Sequence, residues 1–513
     1  MENNNQQTTA SYDIAIIGAG FAGIGAGIKL REKGKNSFVI FERATELGGT
    51  WRDNTYPGCA CDIPSFLYSY SFEPNPEWSR SFSRQGEILE YLKGCAEKYD
   101  ILQHIQFNTN IKEISFNETH GYWHIYDDNG RETIARAIIS AAGPFNTAFY
   151  PDIKGRESFQ GESFHSMHWN HDYDLKGKRV AVIGTGASAI QFIPEIAKEV
   201  GELIVFQRTP PWIQPKMDNK ITEKAKARFR KFPWYQRLWR ELIYYFLENR
   251  GKAHFGNKKL RAKRKKEALD HLHASVKDPE LRKKLTPDYE IGCKRILISE
   301  DYYPTLQLPH VQLHTDGIEE IQTKGLKSKN DSFIEVDAII YGTGFYTTEF
   351  PEAYKVVGRA GRSQHDEWKE SGPEAYYGIS VSGYPNLLYM VGPNTGLGHN
   401  SIIHMMESQL NYILDYLDKL EQTDKASDYF DVNPEVQQSF NEEIQQSLKK
   451  MVWTDGGCKS YYLLNRDGKN TSIWPGSTIA YRKRTKKVKL EDYTLIQGDQ
   501  IKEIDTSKFE QLR

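Results

Sequence analysis

The sequence predicts an α/β protein: two interleaved, doubly wound domains on parallel sheets, with a helical insertion in the second. Three observations predict it. A strand, a turn of the form Gly-x-Gly-x-x-Gly/Ala, a helix and a second strand follow one another twice, around Gly18 and around Gly184. Two later apolar strands, 138–143 and 338–345, end in small residues, and each reads as a segment carrying the chain from one domain to the other. Between Trp212 and Ile291 the strand–helix rhythm stops and helical sequence takes over. The boundaries this suggests are 1–148 and 348–513 for the first domain with the C-terminal region, 149–214 and 291–347 for the second, and 215–290 for the insertion.

Length and composition agree. At 513 residues the chain can bury two or three cores. Apolar residues make up 39% and charged residues 26%, ordinary for a globular protein. A formal net charge of −1 argues against a nucleic-acid binder, whose footprint is basic. No apolar run approaches the roughly 20 residues that span a bilayer. Met1–Ser11 is polar and Asn/Gln-rich, without the basic and apolar regions of a secretion signal. A cytoplasmic protein is therefore expected. The cysteines agree: Cys59, Cys61, Cys95, Cys293 and Cys458 are too few and too scattered for a disulfide framework, and their odd number suits a reducing compartment. Cys59-Ala-Cys61 lacks the partner cysteines a zinc site needs. His165, His168 and His171 recur every third residue, but in an expected interdomain loop they need not converge, so no metal site is expected.

The first turn belongs to a βαβ unit over residues 12–42. Tyr12–Ile17 is a near-continuous apolar run of the buried parallel type. Gly18-Ala-Gly20-Phe-Ala-Gly23 then opens a helix to about Lys33, and Ser37–Phe41 is the second strand. Gly18 permits the tight turn, Gly20 lets the backbone approach a pyrophosphate, and Gly23 lets helix pack on strand. The helix N-terminus offers N–H donors and a positive dipole end to phosphates. Glu42, at the end of the second strand, can take the two hydroxyls of an adenosine ribose and would repel a 2′-phosphate. This Rossmann-like site suits FAD or NAD rather than NADP.

The second unit has the same parts and a different end. Arg179–Ile183 is a buried strand, Gly184-Thr185-Gly186-Ala187-Ser188-Ala189 opens a helix, and Leu203–Phe206 is the next strand. Thr185 and Ser188 can add hydroxyl donors to a pyrophosphate. The strand ends at Gln207-Arg208-Thr209, with no carboxylate. A guanidinium at Arg208 can pair with a 2′-phosphate, which favours NADP(H) over NAD(H); otherwise Arg208 is a solvated strand-end cation.

With both turns in place, the remaining motifs resemble one family. Phe159, Gly161, His165 and Trp169 match FxGxxxHxxxW, the hallmark of the type I Baeyer–Villiger monooxygenases, and Asn170 departs from the Pro or Asp that follows it. Residues 48–62 match GGxWxxxxYPGxxxD without a gap. Lys294-Arg295, just before the strand 296–299, is the third match. The resemblance runs from about Tyr12 to about Trp474.

The resemblance implies two dinucleotide-binding domains, one for FAD and one for NADP. It implies that NADPH reduces FAD, that the reduced flavin and dioxygen form a C4a-peroxide, and that this attacks a ketone. The tetrahedral adduct then rearranges to an ester or lactone. Arg295 matches the family's active-site arginine and Asp62 the carboxylate that positions it. Lys294 matches a second contact to the 2′-phosphate. Thr50, Trp51, Asp53, Asp62 and Tyr68 are expected around the flavin cofactor, and Gly184–Ser188, Arg208 and Thr209 around the coenzyme. Phe159, Gly161, His165 and Trp169 form the linker, where His165 is expected to position rather than to exchange protons. The alternatives are a flavin-containing monooxygenase acting on sulfides or amines and, in another class, a non-catalytic nucleotide-binding redox sensor. Trp51 stands where a disulfide reductase would carry its cysteine.

Two segments stand apart. In the insertion, Trp234, Tyr235, Leu238, Trp239, Leu242, Tyr245 and Phe246 fall at helical spacing, and Lys220–Lys266 holds seventeen Lys or Arg against three Glu. The favoured reading is a helical subdomain that packs this stripe on its neighbours; a basic aromatic helix also fits peripheral contact with an anionic membrane surface. The loop 392–400 precedes a long helix from Ser401 and reads as the return to the first domain. Gly457–Tyr462 and Trp474–Gly476 look like the family's C-terminal loop over the nicotinamide, and the tail from Tyr481 reads as a solvated or interaction segment.

Overall fold

The structure is a computed structural model describing residues 10–347, 353–458, 460–464 and 468–498; nearly all of the polar N-terminal cluster lies outside the described residues. The chain starts with β1 (Ala10–Ile17), α1 (Phe21–Glu32) and β2 (Phe38–Phe41). Ile14 to Ile17 are buried, and a strand covered on both faces must be apolar throughout. β1 runs parallel to β2 on one side and to β3 (Glu132–Ser140) on the other, with Ile17 opposite both Phe41 and Ser140. Antiparallel strands Ile111–Asn117 and Tyr122–Asp127 extend this sheet beyond β3.

The second sheet is all parallel. β4 (Glu162–His165), β5 (Arg179–Ile183) and β6 (Glu202–Phe206), with α2 (Ala189–Ile196) between the last two, supply three of its strands. The other two come from beyond the insertion: β7 (Val311–His314) beside β6, and β8 (Ala338–Tyr341) between β4 and β5. The chain then returns to the first sheet, where β9 (Leu387–Tyr389) pairs in parallel with β3. The molecule is thus an α/β protein of two interleaved, doubly wound domains. One element differs from expectation at this point. The 159–169 segment is not a loop, because 162–165 form an edge strand whose last two residues, Phe164 and His165, turn inward and are buried.

The insertion holds helices α3 (Glu223–Lys231) and α4 (Pro233–Gly251), followed by Lys258–Ser275 and Pro279–Leu285. The expectation that the apolar stripe packs on neighbouring domains is overturned. Trp234 is 64% exposed, Leu242 54% and Phe246 57%, while Gln236, Arg240, Tyr244 and Glu248 are buried. Polar anchoring is the reason. Arg240 donates to the carbonyls of Phe66 and Leu67 at 2.9 and 3.1 Å, and Gln236 to that of Asn75 at 2.6 Å. Glu248 accepts from Asn400 at 2.6 Å and from Thr478 at 2.8 Å.

Two further expectations are corrected. The segment after Tyr481 is not a free tail: α5 (Ile402–Glu421) packs against α6 (Thr478–Arg484), Tyr481, Thr485 and Val488 are buried, and Tyr493–Gln497 pairs with Asp428–Val432. Its cations, on the short helix α6 and in the turn after it, are exposed while the residues between them are buried, so composition alone misreads it. Cys293 and Cys458 form a disulfide across 165 positions of sequence, whereas Cys59, Cys61 and Cys95 are free and buried. Only the fold brings that pair together. Among the described residues no helix is long and apolar enough to cross a membrane.

Candidate active site

Each glycine-rich turn is closed by a strand end from elsewhere in the chain. Gly18 sits at φ +104°, and a Cβ there would lie 2.7 Å from the Ala141 carbonyl oxygen just past β3. Gly184 sits at φ +107°, and a Cβ would lie 2.4 Å from the Gly342 oxygen just past β8. Only glycine tolerates both the backbone angle and the contact. No side chain caps α1 or α2; the helix start at α1 faces a ligand with its first-turn N–H groups, whereas in α2 the Ile190 and Gln191 N–H groups already donate to the Gly186 and Ser188 carbonyls.

Beside the first turn, buried Glu42 accepts from the Ala19 N–H at 2.9 Å, the Ala44 N–H at 3.0 Å and the Arg52 guanidinium at 2.8 Å. Arg52 also donates to Asp53 at 2.7 Å. Glu42, Thr50, Trp51 and Asp53 line one wall, where the Trp51 indole donates to the Tyr68 hydroxyl at 3.1 Å. Beside the second turn, Thr185, Ala187, Ser188, Arg208, Thr209 and Lys294 line the wall together. Lys294 lies over the Tyr289 ring at 5.0 Å. Burial, and after it the neighbouring Arg208 guanidinium, lowers its pKa. The Asp288 carboxylate offsets only part of this, and two cations so close suit an anion.

The stretch from Tyr56 to Asp62 joins the two halves. The Ala60 N–H donates to the Gln191 side chain at 2.9 Å and the Ala60 carbonyl accepts from it at 3.3 Å, which docks the stretch on α2. Its last residue, Asp62, meets Arg295. The guanidinium Nε and Nη2 both lie 2.6 Å from Asp62 Oδ2, and Nη1 reaches the Leu397 carbonyl at 3.5 Å. Burial alone would drive Arg295 down, but the Asp62 carboxylate holds it well above its ordinary value. Burial alone would raise Asp62, but Arg295 holds it below the usual carboxylate range. The pair is therefore ionised across the neutral range.

One continuous cavity of about 990 Å³ contains both turns, both walls and the Asp62–Arg295 pair. Gly18, Gly20, Gly184 and Gly186 lie on its surface, while Gly23 lies deeper in α1. Phe159, Gly161, His165 and Trp169 are off the wall. Phe159 packs on the core of the second sheet, and Trp169 packs against Phe192 of α2. His165 is fully buried, and its Nδ1 accepts from the Met167 N–H at 3.1 Å. Burial, helped by His168, pushes its pKa down to about 4, so the ring is neutral.

Sequence reasoning missed several residues here. Arg52 holds Glu42, Gln191 holds Ala60, and Tyr461 and Tyr462 stand beside Arg295 with their hydroxyls 3.0 Å apart. Lys216 is a further half-buried cation near Asp62. None sits in a spacing pattern of its own. Arg52 carried a signal as the charged neighbour of Trp51 inside a matched motif, and Tyr461 and Tyr462 as members of the loop expected over the nicotinamide, though not as neighbours of Arg295.

The comparisons with known proteins follow this geometry. The family profile described as flavin-binding monooxygenase-like matches residues 11–364. A Baeyer–Villiger monooxygenase of Pseudomonas aeruginosa is 48% identical over 94% of this chain and 91% of its own. One from Streptomyces coelicolor is 43% identical over 96% of this chain and 94% of its own. Among solved structures, OTEMO in complex with FAD and NADP superposes with a TM-score of 0.85 at 26% identity, over 95% of this chain and 100% of that one. The chain therefore belongs to the flavin-binding monooxygenase-like family, among its Baeyer–Villiger monooxygenases.

Proposed function

We propose that FAD binds on the Gly18 turn and NADPH on the Gly184 turn, and that the enzyme uses NADPH and dioxygen to convert a ketone to an ester or lactone. The donor sets fit the two groups: an acid held by Arg52 faces the first turn, and two cations face the second. When bound, FAD supplies the electron transfer from NADPH and the activation of oxygen. The division into 1–148 with 348–513, 149–214 with 291–347, and 215–290 goes with this reading. A cytoplasmic site of work, beside the NADPH consumed, belongs to it as well.

The residues act as follows. Glu42, fixed by Arg52 and two backbone N–H groups, presents its carboxylate to the ribose hydroxyls of FAD. Thr50, Trp51, Asp53 and Tyr68 shape the wall around the flavin. Arg208 and Lys294 grip the 2′-phosphate of NADPH, while Thr185, Ser188 and the positive end of the α2 dipole hold its pyrophosphate. Arg295 keeps a permanent charge where negative charge develops on oxygen, and needs no reorganisation to stabilise it. Asp62 holds the guanidinium fork and stays ionised. His165, neutral and buried, fixes the end of β4 and exchanges no proton.

The observation that carries the reading is the Asp62–Arg295 pair on a wall shared by both turns. Arg295→Ala is expected to leave NADPH oxidation in air running, while ester formation falls by roughly 100-fold or more. Product analysis with a ketone panel checks it, and undiminished ester yield would remove Arg295 from the mechanism.

A further inference from the structure

α4 is built inside out, and that inversion calls for an occupant. Its buried face carries Gln236, Arg240 and Glu248 beside the aromatic Tyr244, and hydrogen bonds given by Gln236 and Arg240 and accepted by Glu248 fasten it to the body. Its large apolar residues, Trp234, Leu238, Trp239, Leu242, Tyr245 and Phe246, are all exposed. They lie along one side of a 19-residue helix roughly 28 Å long. The fold does not need them, because the anchors are on the other side. Scattered apolar residues on a surface need no explanation, but a contiguous stripe does.

The surroundings of the stripe indicate what covers it. Cations rest on its own rings or on those next to it: Arg228 over Tyr235 at 5.6 Å, Lys231 over Phe232 at 5.5 Å and Arg250 over Phe246 at 5.5 Å. At its far end Tyr245 borders a cleft of about 640 Å³ shared with Ile479, Arg482, Lys483, Lys486 and Lys487. Acids are present there too. Asp415 is paired with Lys419, and Asp418 with Lys33 and Lys35, which leaves Glu241 as the acid on α4 itself. An apolar stripe edged by Lys and Arg is complementary to a lipid surface carrying negative headgroups. A second copy of the same face would set cations against cations.

We propose that α4 is a peripheral docking surface for an anionic bilayer, with its aromatic side lying among the headgroups and the cations of α3 and α6 on lipid phosphates. Docking would put the cavity beside a medium in which apolar ketones concentrate, since Glu248 on the inner side of α4 bonds Asn400 on the cavity wall. That last benefit rests on the oxygen-insertion reading; docking itself does not.

Holoenzyme sedimented with phosphatidylcholine vesicles containing about 30% phosphatidylglycerol tests the proposal. The bound fraction is expected to be at least about ten-fold higher than on pure phosphatidylcholine, and to collapse in about 1 M salt. Trp234→Ser with Trp239→Ser should lower partitioning roughly ten-fold while ketone turnover in solution stays unchanged. Absent binding, equal binding to both vesicle types, or binding unaffected by the double substitution would overturn it. So would a dimer in sedimentation velocity that the double substitution makes monomeric, since the face would then belong to a second copy.

Discussion

Arg208 and Lys294 stand side by side on the coenzyme wall, an arrangement that costs free energy until an anion lies between them. Arg208→Ala with Lys294→Ala is expected to raise KM for NADPH by roughly 100-fold and KM for NADH by less than about 3-fold. Equal losses for both coenzymes would contradict the phosphate role. His165 gives a prediction of another kind. Its pKa is about 4 in the folded protein, where burial penalises the charge, against an ordinary 6.5. The unfolded chain therefore binds more protons between those values, and stability rises with pH there. It is fully present above about pH 6.5 and is lost as pH falls toward 4, by roughly 2.5 kcal/mol at pH 4.5. Thermal melts from pH 7.5 to 4.5 should follow that slope, and His165→Gln should flatten it. At this scale the sequence was most legible where a motif fixed the position, as for Asp62, Arg295 and Lys294. Arg52 and Gln191 escaped because each matters through a partner that only the fold supplies.

Among the elements, the two strand–turn–helix units were readable from their glycines and apolar runs, and they carry a paired test. A Cβ at Gly18 would strike the Ala141 oxygen and one at Gly184 the Gly342 oxygen. Gly18→Ala should therefore purify without its yellow cofactor. Gly184→Ala should stay yellow but lose NADPH-dependent bleaching; a colourless Gly184→Ala protein would show that the turns do not work separately. The insertion was half legible. Periodicity announced an amphipathic helix, but amphipathicity says only that two faces differ. Which one faces the core was decided by Arg240, Gln236 and Glu248, whose partners lie 151 to 230 positions away in sequence. The C-terminal cations misled for a related reason: Tyr481 and Val488, interleaved with them, are buried against the body.

At the scale of the molecule, one covalent link was invisible beforehand. The Cys293–Cys458 bond joins the segment that ends in Arg295 to the loop carrying Tyr461 and Tyr462, and it closes a ring of chain 165 positions long. A link of that span restricts the unfolded chain strongly. Reductant is expected to lower the thermal midpoint by roughly 5 °C or more, and Cys458→Ser to show the lower value with no response to reductant. Interleaving, by contrast, was legible, because two apolar strands ending in small residues declared that the chain crosses twice. That crossing bears on how the protein is made. β8 is an inner strand of the second sheet, yet its first residue, Ala338, lies 173 positions downstream of His165, the last residue of its edge partner β4. A ribosome must therefore deliver most of the polypeptide before the coenzyme half can close, and until then β4 and β5 stand apart with the gap between them unfilled.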